Sequence, residues 1–292
     1  MAKTKYLIIG NGIAGLAAAK EIRNNDQEGS ILIVSNEPYL TYYRVKLTEC
    51  LSKEFQDRQI LVNKESWYEE NKIKVILSKI VEKLDVDNNK VILDDGKKIE
   101  YEKLLLATGS RPFIPAVAGK FKQGVLALRT LRDLKYIKDY FSKCEEVAII
   151  GGGLLGLEAA WSLKSLGKKV TIIELAPHLL SKQLDEELAY KLEHKLKQHG
   201  FEIFLSSSVE EILGENRAKG IRLNNGKVIK TDGILFSVGI IPNIDIVRDT
   251  EIQFNRGIIV DNNLKTNIDN IYAAGDVIEI DGRILGLWTV SN

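Results

Sequence analysis

Cysteine is scarce in this chain of 292 residues: there are two, Cys50 and Cys144, 94 positions apart and in no CxxC pair. That excludes a disulfide scaffold and a cysteine-rich metal site, and it predicts a reducing compartment, hence the cytoplasm. Histidine is nearly as rare, with three in all, His178, His194 and His199. They read as solvated residues on and near one helix, so no metal site is expected. An excess of charge is also missing, since 41 Lys+Arg face 40 Asp+Glu for a net charge of +1. A nucleic-acid binder working through a whole-domain basic field is therefore excluded. Long apolar runs are absent too. The longest stretch without a charged residue, Tyr6–Ala19, carries three glycines and falls short of the ~18 residues of a membrane helix. The basic start leads into an apolar run of only four residues with no cleavage site, so no signal peptide is read.

What is present is the composition of an ordinary globular protein, 45% apolar and 28% charged. At about 100–200 residues per domain, the length predicts two domains. Two stretches share one pattern. Tyr6-Leu-Ile-Ile opens onto Gly10-Asn11-Gly12-Ile13-Ala14-Gly15 and a helix-like run, and Val147-Ala-Ile-Ile opens onto Gly151-Gly152-Gly153-Leu154-Leu155-Gly156 and another. Each is followed by a second strand-like run, at 31–35 and 170–174, so each reads as a β-α-β unit, the two starting 141 residues apart. Residues 74–77, 90–93 and 103–109 read as strands, with turns at Asp94-Asp95-Gly96 and Asn224-Asn225-Gly226. A helix is predicted from about Asp185, which can cap it, to His199, with Gly200 as its stop. After it, three further segments read as β.

A GxGxxG between a strand and a helix has a physical task. The first glycine allows the tight turn, the second lets backbone approach a pyrophosphate, and the third lets helix and strand pack. Gly10, Gly12 and Gly15 fill these places in the first copy, and Gly151, Gly153 and Gly156 in the second. An acid for the ribose hydroxyls is expected about 20 positions on. Glu37 follows Gly15 by 22 and Glu174 follows Gly156 by 18, each read as closing the next strand. A carboxylate at 174, with no Arg or Lys over 175–181, favours NAD over NADP.

Further motifs carry a family resemblance. Ala107-Thr108-Gly109-Ser110-Arg111-Pro112 resembles the ATG loop of the FAD-dependent pyridine nucleotide oxidoreductases, and Val238-Gly239-Ile240-Ile241-Pro242-Asn243 resembles its second copy. The stretch from Thr266 through Tyr272 to Gly275-Asp276 is similar to the late flavin motif, in which the Asp meets the ribityl chain. The resemblance covers essentially the whole chain. It implies an α/β fold with two Rossmann-like dinucleotide-binding domains, the NAD domain inserted in the FAD domain. The expected boundaries are 1–118 and 239–292 for the FAD domain and 119–238 for the NAD domain. It further implies FAD and NADH as cofactors, and Gly10, Gly12, Ala14, Gly15, Glu37, Arg44, Val81, Thr108, Gly109 and Asp276 in the flavin site. Gly151, Gly153, Gly156, Glu174 and Gly239 are expected around the nicotinamide cofactor.

Within the family, no CxxxxC of the disulfide reductases is present, and Cys50 lies about five positions past the redox cysteine of NADH oxidases and peroxidases. A small packed side chain is the better reading of Cys50. Tyr43-Arg44-x-x-Leu47 is similar to a segment of NADH:rubredoxin reductases and of the flavin part of NADH-dependent nitrite reductases, where the Arg reaches the flavin nucleotide. Glu158 matches a Glu facing the flavin from the nicotinamide domain. Lys46, beside Arg44, joins it as a catalytic candidate, with a solvated surface Lys as the plain alternative. The implied reaction passes a hydride from NADH to flavin N5, then electrons to an iron protein such as rubredoxin or to an iron–sulfur module. The alternatives are the flavin portion of a nitrite reductase-like assembly, a thiol-dependent oxidase using Cys50, or a nucleotide-binding sensor without turnover. Members of the family continue with a helix and a third domain beyond the Asp276 motif. Leu287–Asn292 fall where that helix should begin, so the sequence is expected to be part of a longer protein, a minimal variant being the alternative, and its FAD to bind less tightly or sit less well ordered.

Overall fold

The computed structural model describes residues 2–284, so the expectation attached to Leu287–Asn292 lies outside the described residues. The chain divides into a first unit, Met1–Tyr43, Gln56–Arg111 and Ile241–Asn292, and a second, Arg44–Phe55 and Pro112–Ile240. Both are α/β, and among the described residues no helix is long and apolar enough to cross a membrane.

The first unit opens with β1 (Ala2–Ile9), α1 (Ile13–Asn25) and β2 (Ile31–Val34). All four residues of β2 are buried. An uninterrupted apolar run of this kind marks a strand covered on both faces of a parallel sheet. Next comes a 3-10 turn, Arg44–Lys46, leading into α2 (Leu47–Cys50), both in the segment that belongs to the second unit. α3 (Glu65–Glu70) and β3 (Ile73–Ile76) follow. An antiparallel meander of β4 (Val81–Asp85), β5 (Lys90–Leu93) and β6 (Lys98–Leu106) comes next. It turns at Gly96, whose φ of +77° suits a residue without a Cβ. β6 then runs parallel to β1 along nearly its whole length. β7 (Ser110–Pro112) leads toward the second unit.

The second unit repeats the plan. β8 (Val125–Ala127), α4 (Leu131–Ser142) and β9 (Glu146–Ile150) precede α5 (Leu154–Ser165), β10 (Lys169–Ile173), α6 (Glu186–Gln198) and β11 (Glu202–Phe204). The carboxylate of Asp185 accepts from the Leu188 N–H at 2.8 Å, capping α6, and Gly200 at φ +77° lies just past its end, as the sequence predicts. A meander of β12 (Val209–Leu213), β13 (Gly220–Leu223) and β14 (Val228–Lys230) returns to β15 (Gly233–Phe236), beside β9. The chain re-enters the first unit through β16 (Ile240–Pro242), β17 (Ile258–Ile259), β18 (Ile271–Ala273) and β19 (Ile278–Glu279).

β18 pairs with the C-terminal part of β6, so the parallel order in the first unit is β3-β2-β1-β6-β18. In the second it is β11-β10-β9-β15-β8. In both, the winding reverses between the strand that feeds the glycine loop and its neighbour, β1 and β6 or β9 and β15. The crevice at the C-terminal ends of such strands is where an open α/β sheet binds its ligand.

Each unit has a core of its own. In the first unit Ile8, Ile31 and Ile33 cluster with Leu16 and Ala19 of α1, while Leu104, Val91 and Ile258 belong to a second cluster. In the second, Ile150, Ile221, Ile234 and Phe236 form one cluster. Burying each of these Ile, Leu, Val and Phe side chains contributes about 1.5–3 kcal/mol. Arg23, 6% exposed near the end of α1, is a buried cation held by backbone carbonyls. It donates to the carbonyls of Asn71 and Asp26, each at 2.7 Å, Gly29 at 3.0 Å and Lys72 at 3.2 Å. Arg23→Ala leaves four carbonyls without their donors, and we expect a loss of about 2–4 kcal/mol, read as a lower denaturant midpoint in urea unfolding.

Candidate functional site

The two glycine loops share one geometry. Gly10 and Gly151 have φ of +111° and +113°, and an added Cβ would lie 2.1 Å from the Ala107 carbonyl oxygen in one and 2.3 Å from that of Ser237 in the other. A Cβ at Gly15 or Gly156 would lie 2.2 Å from the carbonyl oxygen of Gly10 or Gly151. These four glycines serve the protein's own packing. Gly12 and Gly153 do not: each sits at the N-cap of its helix, and a Cβ there meets nothing within 4 Å. Neither cap supplies a side-chain acceptor, and neither α1 nor α5 has an acidic residue in its first turn. α4 and α6, in contrast, carry Asp133 and the Glu186-Glu187 pair there. The positive ends of α1 and α5 are thus left open to an outside anion, and the loop backbone to its oxygens. This is a cradle that fits a dinucleotide pyrophosphate.

The backbone bonds around the two loops match one for one. The N–H groups of Gly10 and Gly151 donate to Val34 and Ile173, those of Ser35 and Glu174 to Ile76 and Phe204, and those of Ser78 and Ser206 to Glu37 and Ala176. Ser78 and Ser206 even share a positive φ, +56° and +49°. This match aligns Glu174 with Ser35, and Glu37 with Ala176. The two acids are therefore not equivalent, which accounts for two of the four positions by which their spacings differ; the other two lie between the glycine loop and the end of the next strand. Glu174 is the first residue beyond β10, whereas Glu37 stands three beyond β2. The Glu174 carboxylate accepts from the N–H of Gly152 at 2.5 Å and of Ala176 at 2.7 Å, so it holds its own loop while facing the glycine turn. Glu37 accepts from the Tyr42 hydroxyl at 2.7 Å.

Other expected residues of the first unit gather at the same end of the sheet. Thr108 donates to the Asn243 carbonyl at 2.8 Å, the Asn243 amide donates to Thr108 at 2.9 Å, and Gly109 (φ +65°) accepts from the Asn243 N–H at 2.9 Å. Asp276 accepts from the Ser110 hydroxyl at 2.9 Å. Pairing of β18 with β6 carries this Asp toward the glycine loop, and Ala14 lies against Gly275, where an added Cβ would sit 2.9 Å from the Ala14 Cβ. Val81 opens β4, and its half-buried side chain packs against the core of the first unit. In the second unit Gly239 has φ +116° with open space at its Cβ, and its carbonyl accepts from the Phe113 N–H at 2.9 Å.

Arg44, Lys46 and Glu158 all fall in the second unit. Arg44 donates to the Arg129 carbonyl at 2.9 Å. Lys46 is exposed at the N-cap of α2. Thr48 donates to the Glu158 carboxylate at 2.7 Å, and Ser162, one turn further along α5, donates to the Thr48 carbonyl at 2.9 Å. Lys138 closes the far end of α2 on the carbonyls of Cys50 and Lys53. The sequence reading missed Asn11, Thr48 and Ser162. Asn11 is a variable position of the fingerprint, and Thr48 meets its partners 110 and 114 positions away, which local pattern does not reveal.

Cys50 and Cys144 are free and buried, and burial pushes both thiols above the usual cysteine range. A raised value keeps the neutral thiol at pH 7, the opposite of what a nucleophilic cysteine needs. Cys50 is expected to react with a thiol reagent at least about tenfold more slowly in the folded protein at pH 7 than in urea, read as the rate of labelling. Among the described residues no cluster of three or more His, Cys, Asp or Glu is placed to hold a metal.

Comparison with known proteins places these features in context. The chain is 38% identical over 288 residues to a nitrite reductase (NAD(P)H) of Bacillus subtilis, covering 98% of this chain and 36% of that one. It is 36% identical over 296 residues to the NADH-rubredoxin oxidoreductase of Clostridium acetobutylicum, covering 100% of this chain and 73% of that one. The crystal structure of that clostridial protein superposes with a TM-score of 0.84 over 98% of this chain and 71% of its own. The ferredoxin reductase for the CYP199A2 system of Rhodopseudomonas palustris superposes with a TM-score of 0.91 at 29% identity, over 95% of this chain and 69% of its own. A family model described as pyridine nucleotide-disulphide oxidoreductase matches residues 4–291, and the chain belongs to that family.

Proposed function

We propose that this chain is the FAD- and NADH-binding portion of an NADH:acceptor oxidoreductase that passes electrons to an iron protein. Members of the family use FAD and NADH. The observation that carries the reading is the pair of open cradles, with Gly12 and Gly153 capping helices whose first turns hold no acid.

In this reading the first unit holds FAD through the Gly10–Gly15 loop, Glu37, Thr108-Gly109 and Asp276. The second holds NADH through the Gly151–Gly156 loop, Glu174 and Gly239. FAD, when bound, supplies an acceptor for two electrons as hydride that can release them singly. The protein binds, orients and excludes water. Arg44 and Lys46 balance the anionic cofactor, and Glu158, aligned by Thr48, orients a cation or the nicotinamide amide. Electrons leave without a redox-active disulfide, a reading supported by the burial and raised thiol pKa of Cys50.

The chain covers 36% and 37% of two Bacillus relatives, a nitrite reductase and an electron transfer subunit of assimilatory nitrate reductase. That likeness favours a second reading, the flavin portion of a nitrite-reducing assembly. An anaerobic NADH titration of purified protein, followed by absorption, tests both. Yellow protein that bleaches with one equivalent of NADH is the expected result, and failure to take up FAD overturns both readings. Turnover with rubredoxin, set against nitrite plus an iron–sulfur partner, then separates them.

A further inference from the structure

The first glycine loop is tied down in a way the second is not. Asn11 occupies the position of Gly152. It is 8% exposed, and the two side chains beyond it, Thr41 and Tyr68, are 0% and 3% exposed. Tyr68 on α3 donates to Thr41 Oγ1 at 3.0 Å, Thr41 donates to Asn11 Oδ1 at 2.6 Å, and Asn11 Nδ2 donates to the Tyr39 carbonyl at 3.3 Å. The direction of this chain is forced. Asn11 Oδ1 only accepts, so the single Thr41 proton points at it and Tyr68 must donate to the Thr41 oxygen. The amide is thereby held in one of its two orientations. Thr41 is itself fixed, because its carbonyl accepts from the Val62 N–H at 2.9 Å and the nearby Tyr43 N–H donates to Ile60 at 2.8 Å.

The second loop has no room for such a side chain. A Cβ at Gly152 would lie 2.6 Å from Leu179 Cδ2 and 3.1 Å from Glu174 Oε2. Its tie is the Glu174 carboxylate on the Gly152 N–H. Ser35 stands in that acid's place in the first unit, and its hydroxyl accepts from the Glu37 N–H at 3.2 Å. The first loop is therefore organised by a neutral chain of buried side chains and the second by an acid.

We propose that Thr41 is a positioning residue for the flavin dinucleotide. Acting through Asn11, it holds the Gly10–Gly12 backbone in the shape that presents its N–H groups to the pyrophosphate. This rests on the reading that the first unit binds FAD. Thr41→Val keeps the shape and removes the hydroxyl, leaving Asn11 Oδ1 and the Tyr68 hydroxyl buried without each other's link.

The test is FAD titration of the apoprotein by fluorescence, below the melting temperature of every variant. Thr41→Val should raise the FAD Kd at least about tenfold, and Thr41→Ser should bring it back to within about threefold of wild type. Val91→Ala, a truncation at a fully buried core position of β5, serves as the stability control. At a comparable loss of Tm it should hold FAD within about threefold of wild type. Wild-type affinity in Thr41→Val, failure of Ser to rescue, or an equal loss in Val91→Ala each overturns the proposal. Wild-type apoprotein that takes up no FAD instead overturns the reading on which the proposal rests, and the proposal with it.

Discussion

Gly12→Ala is expected to leave the fold intact and to weaken FAD binding about 100-fold, or about 2.7 kcal/mol. The physical reason is the separation of roles within the loop. Gly12 has φ of −82° and ψ of −176°, a conformation open to any residue, and nothing of the protein lies within 4 Å of its Cβ position. The added methyl therefore costs the folded chain almost nothing, but in the proposed reading it stands where the backbone approaches the pyrophosphate. Gly10→Ala behaves in the opposite way. Its Cβ falls 2.1 Å from the Ala107 carbonyl oxygen at a φ of +111°, so the strand-to-helix turn must shift, at a cost of about 3 kcal/mol or more. Thermal unfolding and FAD titration of the pair check this. Gly12→Ala with wild-type Tm and wild-type FAD affinity would remove the first loop from the binding site.

Glu174→Ala is expected to raise the KM for NADH about 10- to 100-fold with a smaller change in kcat, as loss of a contact made equally in ground and transition states requires. The structure adds a cause beyond the proposed ribose contact. The carboxylate accepts two backbone N–H groups, from Gly152 and Ala176, and its loss leaves the glycine turn without its tie. Glu174→Gln keeps an acceptor for one of these amides and should fall between wild type and Glu174→Ala. Steady-state kinetics with NADH as the varied substrate decides this, and an unchanged KM in Glu174→Ala would exclude Glu174 from the nicotinamide site.

Much of the architecture was legible from local pattern. The apolar runs at 6–9 and 147–150 became the central strands, buried on both faces. Asp185 and Gly200 bounded α6, and Asp94-Asp95-Gly96 made its turn. In these cases the cause is local: strand burial, capping and φ preference act over a few residues.

The equivalence of Glu37 and Glu174 failed because spacing along a chain measures contour length rather than position relative to a strand end. Only the backbone bonds to 76–79 and 204–207 reveal that the two acids occupy different places in the repeat. The same limit hid the segment Arg44–Phe55. It lies between parts of the first unit in sequence yet belongs with the second, because Thr48 and Ser162 close bonds across 110 and 114 positions. It also hid Thr41, whose chain to Asn11 and Tyr68 spans 30 and 27 positions. By itself the sequence determined two dinucleotide-type loops, the strands that feed them and the helices that leave them, because glycine and apolar patterning act locally. How each loop is held, by an acid in one and by a buried amide–hydroxyl chain in the other, was decided by the tertiary structure. A buried polar side chain must find its partner wherever folding brings one, and no local pattern encodes which one that is.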